Sequence, residues 1–455
     1  MSGNLQAALA LHRKGKLREA ARIYQRILET QPNEVNSLHL LGTIRLVEGD
    51  APGAAALIGR ALELKPDYAE AQLNMGSVYR ALGRLREALV CYDNALTLRA
   101  DLIDAHYNRG VVLHEIGELD AALDSYRMAT VLKADHAEAL SNAALIFLLR
   151  GDFANGWPLY EWRLATSQYL SSHPQPLPGK RWSGTESITG SRVLVHCEQG
   201  LGDAIQFARY LPQLAEHADI VVMASPSLHR LFASIPGVTT VIDDWHGQRF
   251  DFHVALLSLP GIFGTTIDNI PAGHSAYLDA DPNLQSAWRE RLATPGVTEQ
   301  TLKVGLMWSG GRATPIKGRS MPLTALRELI ELPVDFISLQ KEISDGDAAL
   351  LSELPRLRHF GAAQTDFADA AAIISLVDLV ISVDTSIAHL AAALGKETWI
   401  ALPKVADWRW LEGRDDSPWY PAVRLFRQER AGDWMTVVAA LKARLATRLE
   451  TPHAT

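Results

Sequence analysis

Residues 69–102 read AEAQLNMGSVYRALGRLREALVCYDNALTLRADL, and this stretch decides the fold because its pattern returns every 34 residues. Four positions keep the spacing: a small residue (Ala20, Ala54, Ala88, Ala122), a glycine continued by alanine (Gly42, Gly76, Gly110, Ala144), a large side chain (Tyr24, Ile58, Tyr92, Tyr126, Tyr160) and proline or alanine (Pro32, Pro66, Ala100, Ala134). Small residues let the two helices of a hairpin approach closely, and the large ones wedge between neighbouring hairpins. A period of this length indicates a repeat architecture.

The repeat resembles the tetratricopeptide repeat, a helix–turn–helix unit of the same length. We assign complete units to residues 1–34, 35–68, 69–102 and 103–136, with a degenerate fifth unit from Ala137 into Gly156-Trp-Pro-Leu-Tyr-Glu-Trp162. Such arrays stack into a curved solenoid whose inner surface binds extended peptide. We therefore predict a tetratricopeptide-repeat array over residues 1–165.

Asparagine occupies the sixth position of three successive units, at Asn74, Asn108 and Asn142. An asparagine amide has both a donor and an acceptor, so it can clamp a peptide backbone without reading its side chains. The alternative is that asparagine is common at this position and merely hydrates the groove. On the first interpretation these three residues line a peptide-binding groove for a protein partner.

Composition and charge exclude several classes of function. The 455 residues carry a formal charge of −8, so no basic excess exists to displace counterions from nucleic acid. Cys91 and Cys197 lie far apart in apolar stretches, which is typical of a reducing compartment. The N-terminus lacks a signal-peptide pattern, and the most apolar run, Ile373–Val383, is short, contains Asp378 and is interpreted as a buried strand. We expect a cytoplasmic protein without a membrane span.

A proline-rich segment separates the array from a region of different periodicity. Ser171–Lys180 holds three prolines in five residues, which predicts a linker that we place at residues 166–190. Short apolar strands then alternate with helical patterns over residues 191–295, and again over residues 296–455. This alternation predicts parallel sheets with helices on both faces. The expected fold class is an α-solenoid followed by two Rossmann-like α/β domains, with ligands at the carboxyl ends of the strands.

The first α/β domain contains one loop suited to chemistry. Its opening strand runs into Gly200-Leu-Gly-Asp203, where Gly200 and Gly202 let the backbone approach a ligand at a helix start. The stretch fails as a dinucleotide fingerprint because Ile205 replaces the third glycine, so an NAD enzyme is not expected. Asp203 is a candidate general base. The alternative is an N-cap that stabilises the helix by about 1 kcal/mol.

The second α/β domain has a comparable loop, Ser382-Val-Asp-Thr-Ser-Ile-Ala-His389, between an apolar strand and an alanine-rich helix. Asp384, Thr385 and Ser386 at a helix N-terminus, with His389 one turn further on, suit a diphosphate through hydrogen bonds and the helix dipole. The alternative is that Asp384 only caps the helix. The polar cluster exceeds what a cap requires, which favours a binding role.

Cationic partners for a diphosphate are predicted at Lys317, Arg319 and Lys341, because each lies just beyond a predicted strand end. The alternative for each is a solvated loop charge. The chain has no Gly-x-x-x-x-Gly-Lys-Ser/Thr stretch, so a P-loop NTPase is not expected. It also lacks His-Glu-x-x-His and Cys-x-x-Cys spacings, and we predict neither a metal nor a bound cofactor.

Two longer stretches, residues 197–207 (CEQGLGDAIQF) and residues 377–391 (VDLVISVDTSIAHLA), resemble bacterial tetratricopeptide-repeat glycosyltransferases. Asp407-Trp-Arg-Trp410 and Asp416-Ser-Pro-Trp-Tyr-Pro421 fit the same group. The transferase half of that group is similar to the heptosyltransferase family of GT-B enzymes. The layout also resembles the protein O-GlcNAc transferases. This resemblance covers nearly the whole chain and implies a GT-B fold.

Carried over by position, the resemblance makes Asp203 the catalytic base and matches Asp384–Ser386 with His389 to the nucleotide-diphosphate site. Gln340 and Lys341 are similar in placement to a Gln and a Lys that contact the nucleotide in O-GlcNAc transferases. The implied activity is inverting, metal-independent transfer from a nucleotide sugar to a protein recruited by the repeats, such as flagellin or another surface protein. A lipid-linked or polysaccharide acceptor is one alternative. A non-catalytic scaffold with a decayed transferase domain is another.

Overall fold

The computed structural model describes residues 3–293, 301–310 and 318–450. The chain divides into two compact units, Met1–Ile146 with Trp162–Leu170, and Phe147–Glu161 with Ser171–Thr455. The first division falls within a single helix, Ala137–Leu149. Residues 147–161, which the repeat pattern assigns to the degenerate fifth unit, therefore belong to the second compact unit.

The first unit consists of helix pairs that follow the 34-residue period. Its helices are α1 (Gly3–Arg13), α2 (Leu17–Thr30), α3 (Val35–Val47), α4 (Ala51–Leu64), α5 (Ala69–Ala81), α6 (Leu85–Leu98), α7 (Ile103–Ile116), α8 (Leu119–Leu132) and α9 (Ala137–Leu149). The two helices of each repeat pack against each other, and α5 also contacts α3 and α7. The first helices of successive repeats thus lie side by side. The predicted repeat array is confirmed.

Small and large residues of the repeat meet directly within each hairpin. A Cβ atom added to Gly110 would lie 2.6 Å from Tyr126 Cε1, so the tyrosine ring occupies the space that glycine leaves open. Tyr92, one repeat earlier, also belongs to a buried cluster with Ala105 and Val112 of the following repeat. The large residues therefore fill the interior of their own hairpin as well as the predicted space between hairpins.

A further series of glycines with the 34-residue spacing follows the first helix of each repeat. Its members are Gly15, Gly49, Gly83, Gly117 and Gly151, with φ values from +73° to +86°. This left-handed conformation is strained for other residues and is typical of glycine just after a helix. The series shows why the turn between the two helices recurs with the same geometry.

The second unit contains two sheets, and all strand pairs in the described residues of these sheets are parallel. The strands are β1 (Lys180–Arg181), β2 (Arg192–His196), β3 (Asp219–Met223), β4 (Val238–Ile242), β5 (Phe252–Ala255), β6 (Lys303–Met307), β7 (Asp335–Ser338), β8 (Leu357–His359), β9 (Leu379–Val383), β10 (Thr398–Leu402) and β11 (Val423–Arg427). The first sheet has the order β1-β5-β2-β3-β4, and the second has the order β11-β10-β9-β6-β7-β8.

The second unit also contains helices, most of which lie between successive strands. They are α10 (Phe153–Tyr160), α12 (Leu201–Phe207), α13 (Leu211–Ala215), α14 (His229–Phe232), α15 (Leu259–Ile262), α16 (Pro282–Leu292), α17 (Arg327–Ile330), α18 (Asp345–Leu351), α19 (Phe367–Ser375), α20 (Ser386–Ala393) and α21 (Trp434–Glu450), while α11 (Ser167–Ser172) spans the division between units. Read from β6, the second sheet has the Rossmann order. The predicted fold class, a repeat solenoid followed by Rossmann-like α/β structure, is confirmed. We call the parts built on the two sheets the first and second lobes.

The apolar run Ile373–Val383 corrects one sequence interpretation. It is not one buried strand, because α19 continues to Ser375 and β9 begins only at Leu379. Helix and strand are both buried here, so the run lacks the polar alternation that would separate them. Asp378 marks the junction, and its Oδ2 accepts a hydrogen bond from Lys303 N–H at 2.8 Å.

The topology places the Gly200 and Asp384 turns beside the points where the strand order of each sheet reverses. In the first sheet β2 lies between β3 and β5, and in the second sheet β6 lies between β7 and β9. The order of strands reverses at these points, where α/β proteins bind ligands at the carboxyl ends of strands. The carboxyl end of β2 runs into the Gly200 turn, and that of β9 runs into the Asp384 turn.

Candidate active site

Asp203 is the third residue of α12, which begins at Leu201 with Gly200 as its N-cap. The Gly200 N–H donates a hydrogen bond of 2.9 Å to Asp203 Oδ2, so the side chain stabilises the helix start. The other oxygen, Oδ1, lies 2.5 Å from Arg409 Nη2. The N-cap is thus Gly200, and Asp203 stabilises the helix start from its third position through Oδ2. Its other oxygen pairs with Arg409, and the role of Asp203 as a general base stays a prediction.

The Asp384 turn joins β9 to α20. Thr385 is the N-cap of α20 in an extended conformation, and within the described residues no side chain caps this helix. The Asp384 carboxylate turns instead to Arg319, with 2.8 Å between Oδ2 and Nη2. The Thr385 hydroxyl lies 3.1 Å from the Ser382 hydroxyl. Asp384 is therefore not the cap of α20, which was the alternative that the sequence left open.

His389 lies one turn into α20 and is buried against aromatic residues. Its Nδ1 is 3.0 Å from the Tyr420 hydroxyl, and its ring stacks on Trp410 with 5.0 Å between centroids. Burial lowers the pKa of His389 to about 3, with Arg409 adding to the effect. Near neutral pH this residue therefore supplies hydrogen bonds and packing but no positive charge.

Two arginines of the second lobe connect the two aspartates. Arg409 lies in a short 3₁₀ turn after β10, and its Nη1 is 2.7 Å from Asp407 Oδ1. Arg319 Nη2 is 3.2 Å from Asp407 Oδ2 and also pairs with Asp384. An unbroken chain of ion pairs thus runs from Asp203 through Arg409, Asp407 and Arg319 to Asp384. We call these five residues the charged cluster; it has one more carboxylate than guanidinium.

The three carboxylates of the charged cluster differ in pKa. Burial raises the pKa of Asp384 to about 6, with Arg319 opposing the rise and Asp407 adding to it. Burial also raises the pKa of Asp203, and Arg409 opposes it. Asp407 is buried too, but its two arginine partners hold its pKa below the ordinary value. The outer carboxylates thus bind a proton before the central one, and carboxylates displaced towards neutrality are common at catalytic sites.

The two loops approach each other closely at Gly202. A Cβ atom on this residue would lie 2.9 Å from His389 Cδ2 and 3.4 Å from Ser386 Cα. Helices α12 and α20 pack against each other around this contact. Gly202 is therefore required for close packing of the two helix starts. The structure brings Asp203 together with the Asp384–Ser386 turn.

The remaining predicted donor-binding residues lie in other loops. Gln340 is buried, and its Oε1 accepts a hydrogen bond of 3.3 Å from Ser309 N–H, which joins the loops after β7 and β6. Lys341 donates through Nζ to the Thr365 carbonyl at 2.6 Å. Of the predicted cations, Arg319 is a member of the charged cluster. Lys317 lies outside the described residues.

The three predicted groove asparagines lie half-buried on α5, α7 and α9. Asn74 Nδ2 is 2.7 Å from His39 Nε2, and His39 Nδ1 is 3.0 Å from the Tyr68 hydroxyl. The Asn74 amide is thus engaged by a neighbouring repeat. Whether it clamps a peptide, together with Asn108 and Asn142, stays a prediction.

Sequence reasoning missed Asp407 and Arg409 as members of the site. They occur in the quoted segment Asp407-Trp-Arg-Trp410, but only as part of a resemblance. The available signal was their position after β10, at the same sheet edge as the Asp384 turn. Trp408 packs under the Arg409 guanidinium, 4.5 Å from its centre, and so helps to fix the arginine.

Known protein families match both the repeat array and the second lobe. Two tetratricopeptide-repeat models match residues 5–69 and 76–117, and the model of glycosyltransferase family 9 (heptosyltransferase) matches residues 348–402. The last match contains Asp384–His389, whereas Asp203 and Arg409 lie outside it. Protein FlbA of Caulobacter vibrioides is 29% identical over 321 residues, covering 64% of this chain and 52% of FlbA. The chain thus spans about half the length of that curated relative.

Solved structures are similar to part of the chain. MamA is 23% identical with a TM-score of 0.32, covering 36% of this chain and 96% of MamA. YrrB, described as a TPR protein with an unusual peptide-binding site, is 19% identical with a TM-score of 0.31, covering 38% of this chain and 91% of YrrB. The family matches and FlbA support a tetratricopeptide-repeat glycosyltransferase, as the sequence motifs predict.

The described part of the chain meets neither of two requirements, a long apolar helix for a membrane span and a cluster of ligating side chains for a metal site. No helix there combines the length and apolar character needed to cross a membrane. The same residues contain no group of three or more His, Cys, Asp or Glu side chains placed to hold a metal ion. The expected independence from metal stays a prediction.

Proposed function

We propose that this chain is an inverting, metal-independent glycosyltransferase that moves a sugar from a nucleotide-diphosphate sugar to a protein acceptor. The charged cluster is the observation that carries the proposal. Asp203 comes from the first lobe, while Arg319 and the Asp384–Ser386 turn come from the second. A candidate base and a candidate diphosphate site thus share one buried chain of ion pairs.

The reaction is a single displacement at the anomeric carbon of the donor sugar. An acceptor oxygen forms a bond to this carbon while the bond from the carbon to the diphosphate oxygen breaks. Asp203 takes the acceptor proton, and the electron pair of the broken bond leaves with the nucleoside diphosphate. Attack opposite the leaving group inverts the configuration. A positioned general base typically contributes about 10²–10⁴-fold to such a step.

The leaving diphosphate gains negative charge that the second lobe can offset. Arg319 is the most accessible arginine of the charged cluster, with 26% of its side chain exposed. Backbone N–H groups at Thr385 and Ser386 add hydrogen bonds, and the dipole of α20 favours an anion at this end. A bound diphosphate competes with the carboxylates of Asp384 and Asp407 for ion pairing with Arg319. We assign the cationic role that a metal plays elsewhere to these groups.

Asp203→Asn tests the assignment of the base. Nucleotide binding is measured by thermal shift with UDP-, GDP- and ADP-linked sugars, since a ligand at 100 times its Kd stabilises by about 2.7 kcal/mol. We expect the variant to fold and bind but to lose about 10²–10⁴-fold in transfer rate. The control is Asp101→Asn, the same change at a side chain that is 76% exposed. Transfer at the parental rate by Asp203→Asn would remove the base assignment.

Deletion of residues 1–102 tests the protein acceptor. The deletion removes three repeats and leaves α7, α8 and α9 intact, because repeats contact mainly their neighbours. Loss of transfer to protein with retained transfer to a small acceptor supports recruitment by the array, with flagellin or another surface protein as the candidate. Transfer to a lipid-linked or polysaccharide acceptor alone favours the alternative enzyme. Nucleotide binding without turnover in the full chain favours the scaffold.

A further inference from the structure

Arg409 is the point at which the second lobe contacts the candidate base. Its Nη2 lies 2.5 Å from Asp203 Oδ1, and its Nη1 lies 2.7 Å from Asp407 Oδ1. Only 7% of the Arg409 side chain is exposed. The guanidinium therefore bridges two carboxylates, one from each lobe, in a place that water hardly reaches.

On the basis of the proposed function, we propose that Arg409 is a positioning residue that orients the Asp203 carboxylate across the boundary between the lobes. The Gly200 N–H holds Oδ2 from within the first lobe, and Arg409 holds Oδ1 from the second. With both oxygens fixed, the plane of the carboxylate is defined only when the lobes are together. The base is thus assembled by lobe contact.

The shape of arginine suits this role better than a simple positive charge. A planar guanidinium can present separate N–H groups to two carboxylates, whereas a lysine ammonium is a point charge on a flexible stem. Asp407 fixes the far side of Arg409 through both Nη1 and the backbone, since Arg409 N–H donates to Asp407 Oδ1 at 3.1 Å. The Trp408 ring lies against the guanidinium. Rotation of Arg409 away from Asp203 is therefore hindered on two sides.

Arg409 also affects the charge state of Asp203. The other titratable or charged side chains that interact with this pair are Asp407, Arg319 and Tyr160. Asp384 is linked to these groups by its ion pair with Arg319, and His389 is close enough to Arg409 for the arginine charge to lower its pKa. Among these groups Arg409 is the nearest cation to Asp203. Its removal raises the pKa of Asp203 further, so a larger fraction of the base is protonated at a given pH.

The test is the pH dependence of turnover in the full chain carrying Arg409→Gln or Arg409→Lys. The probes are UDP-, GDP- and ADP-linked hexoses, with donor hydrolysis or transfer measured from pH 5 to pH 9. For Arg409→Gln we expect the acid limb of kcat to move up by about one pH unit. We also expect kcat to fall about 10- to 100-fold near pH 6, with donor KM changed less than about threefold.

Arg409→Lys and a matched control separate positioning from folding. Lysine keeps the charge, so the acid limb should return towards that of the parent while kcat stays reduced about tenfold by the lost bridge. Arg414→Gln is the control, because Arg414 pairs with Asp416 at 2.5 Å in the following loop, and the ion pairs that define the charged cluster do not involve it. The Arg414→Gln variant should keep the parental acid limb and the parental kcat. A purely structural role of Arg409 would lower rates equally at every pH without moving the limb.

The outcomes distinguish this inference from the proposed function. A parent that turns over none of the donors removes the transferase proposal and the role of Arg409 with it. An active parent whose Arg409→Gln variant keeps the parental acid limb and kcat overturns the positioning role alone. If the glutamine variant does not fold, Arg409→Lys decides, because parental kcat in that variant would show that the bridge is dispensable.

Discussion

The two units of this protein organise buried polar groups in different ways. In the array, His39 contacts Tyr68 at the end of its own repeat and Asn74 of the next repeat, so these contacts are local in sequence. In the second unit, the charged cluster joins Asp203 to Arg409 and Arg319 to Asp384, from distant parts of the sequence. Damage to the array should therefore stay local. Damage to the cluster should abolish a function that depends on both lobes.

Two glycine substitutions give the largest predicted contrast. An alanine Cβ at Gly202 would lie 2.9 Å from His389 Cδ2, and one at Gly110 would lie 2.6 Å from Tyr126 Cε1. Both changes force a neighbour to shift. Gly202→Ala should lower transferase activity by about 100-fold or more, because displacement of about 1 Å is enough to misplace a catalytic group. Gly110→Ala should destabilise the array by about 1–3 kcal/mol and leave donor hydrolysis unchanged.

Gly346→Ala is the control for both glycine variants. This residue lies in α18 with only Ser344 Oγ, at 3.9 Å, near the added Cβ, so the change should be neutral or slightly stabilising. Initial rates of donor hydrolysis and thermal unfolding are compared for all three variants. Equal loss of activity in Gly110→Ala and Gly202→Ala would contradict the prediction that damage to the array leaves the activity of the second unit unchanged.

Much of the fold could be predicted because its signals are local and repeated. The alanines, glycines and tyrosines of the 34-residue period define the array, and runs such as Leu379–Val383 define central strands. Strands β1 and β8, of two and three residues, are too short to show any period. Strand β1 also falls within the predicted linker and becomes a strand only because β5 pairs with it. Such elements depend on tertiary partners.

The site was less predictable, since a sequence shows which residues follow strands but not which loops touch. The Gly200 and Asp384 turns were found because glycine and polar residues follow apolar strands there. Arg409 also follows a strand, β10, but this position alone does not show its role, which depends on an ion pair with Asp203 in the other lobe. Arg319 was predicted as a phosphate partner, and its pairing with Asp384 and Asp407 could not be read from spacing.

Acidification should weaken the array through His39. Burial lowers the pKa of His39 to about 4, while an unfolded histidine titrates near its ordinary value of 6.5. The unfolded chain therefore binds the proton first, and stability present above pH 6.5 is lost as the pH falls towards 4. The loss should be about 3 kcal/mol at most. Hydrogen exchange of peptides from α3 and α5 at pH 7.5 and pH 5, corrected for intrinsic rates, measures it.

His39→Gln provides the comparison for this prediction, since an amide can keep a hydrogen bond to Tyr68 or Asn74 but cannot titrate. The variant should show little of the acid-induced loss of protection. The same loss in the variant and the parent would mean that another group is responsible. Peptides from α7 and α8, two repeats further along, serve as an internal control because they do not contact His39.

Asp384 should respond to pH with the opposite sign. Its pKa is raised to about 6, so the folded state binds the proton first and the favourable contribution is lost as the pH rises through 6. We expect Asp384→Asn to remove a change of about 2 kcal/mol between pH 4.5 and pH 7. Ten of the eleven tryptophans lie in the second unit, so tryptophan fluorescence follows its thermal unfolding. The difference in Tm between variant and parent should increase with pH; a constant difference would contradict the shifted pKa.

The smallest contrast compares one ion pair from each unit. Arg230 Nε and Nη2 lie 2.6 and 2.8 Å from the two carboxylate oxygens of Asp366, which joins α14 of the first lobe to α19 of the second. Arg99 and Glu70 pair at 2.8 Å within the third repeat, with 45% and 43% of their side chains exposed. A bidentate pair to a largely buried carboxylate is stronger than an exposed single contact.

Arg230→Gln should therefore cost about 1 kcal/mol, measured by tryptophan fluorescence during thermal unfolding. Arg99→Gln should cost less than about 0.5 kcal/mol, measured by circular dichroism of the helical array, and its effect should shrink further in 0.5 M salt because exposed charges are screened. A larger cost at Arg99 would mean that the array depends on its surface pairs. The array and the lobes would then not differ in how strongly they depend on their ion pairs.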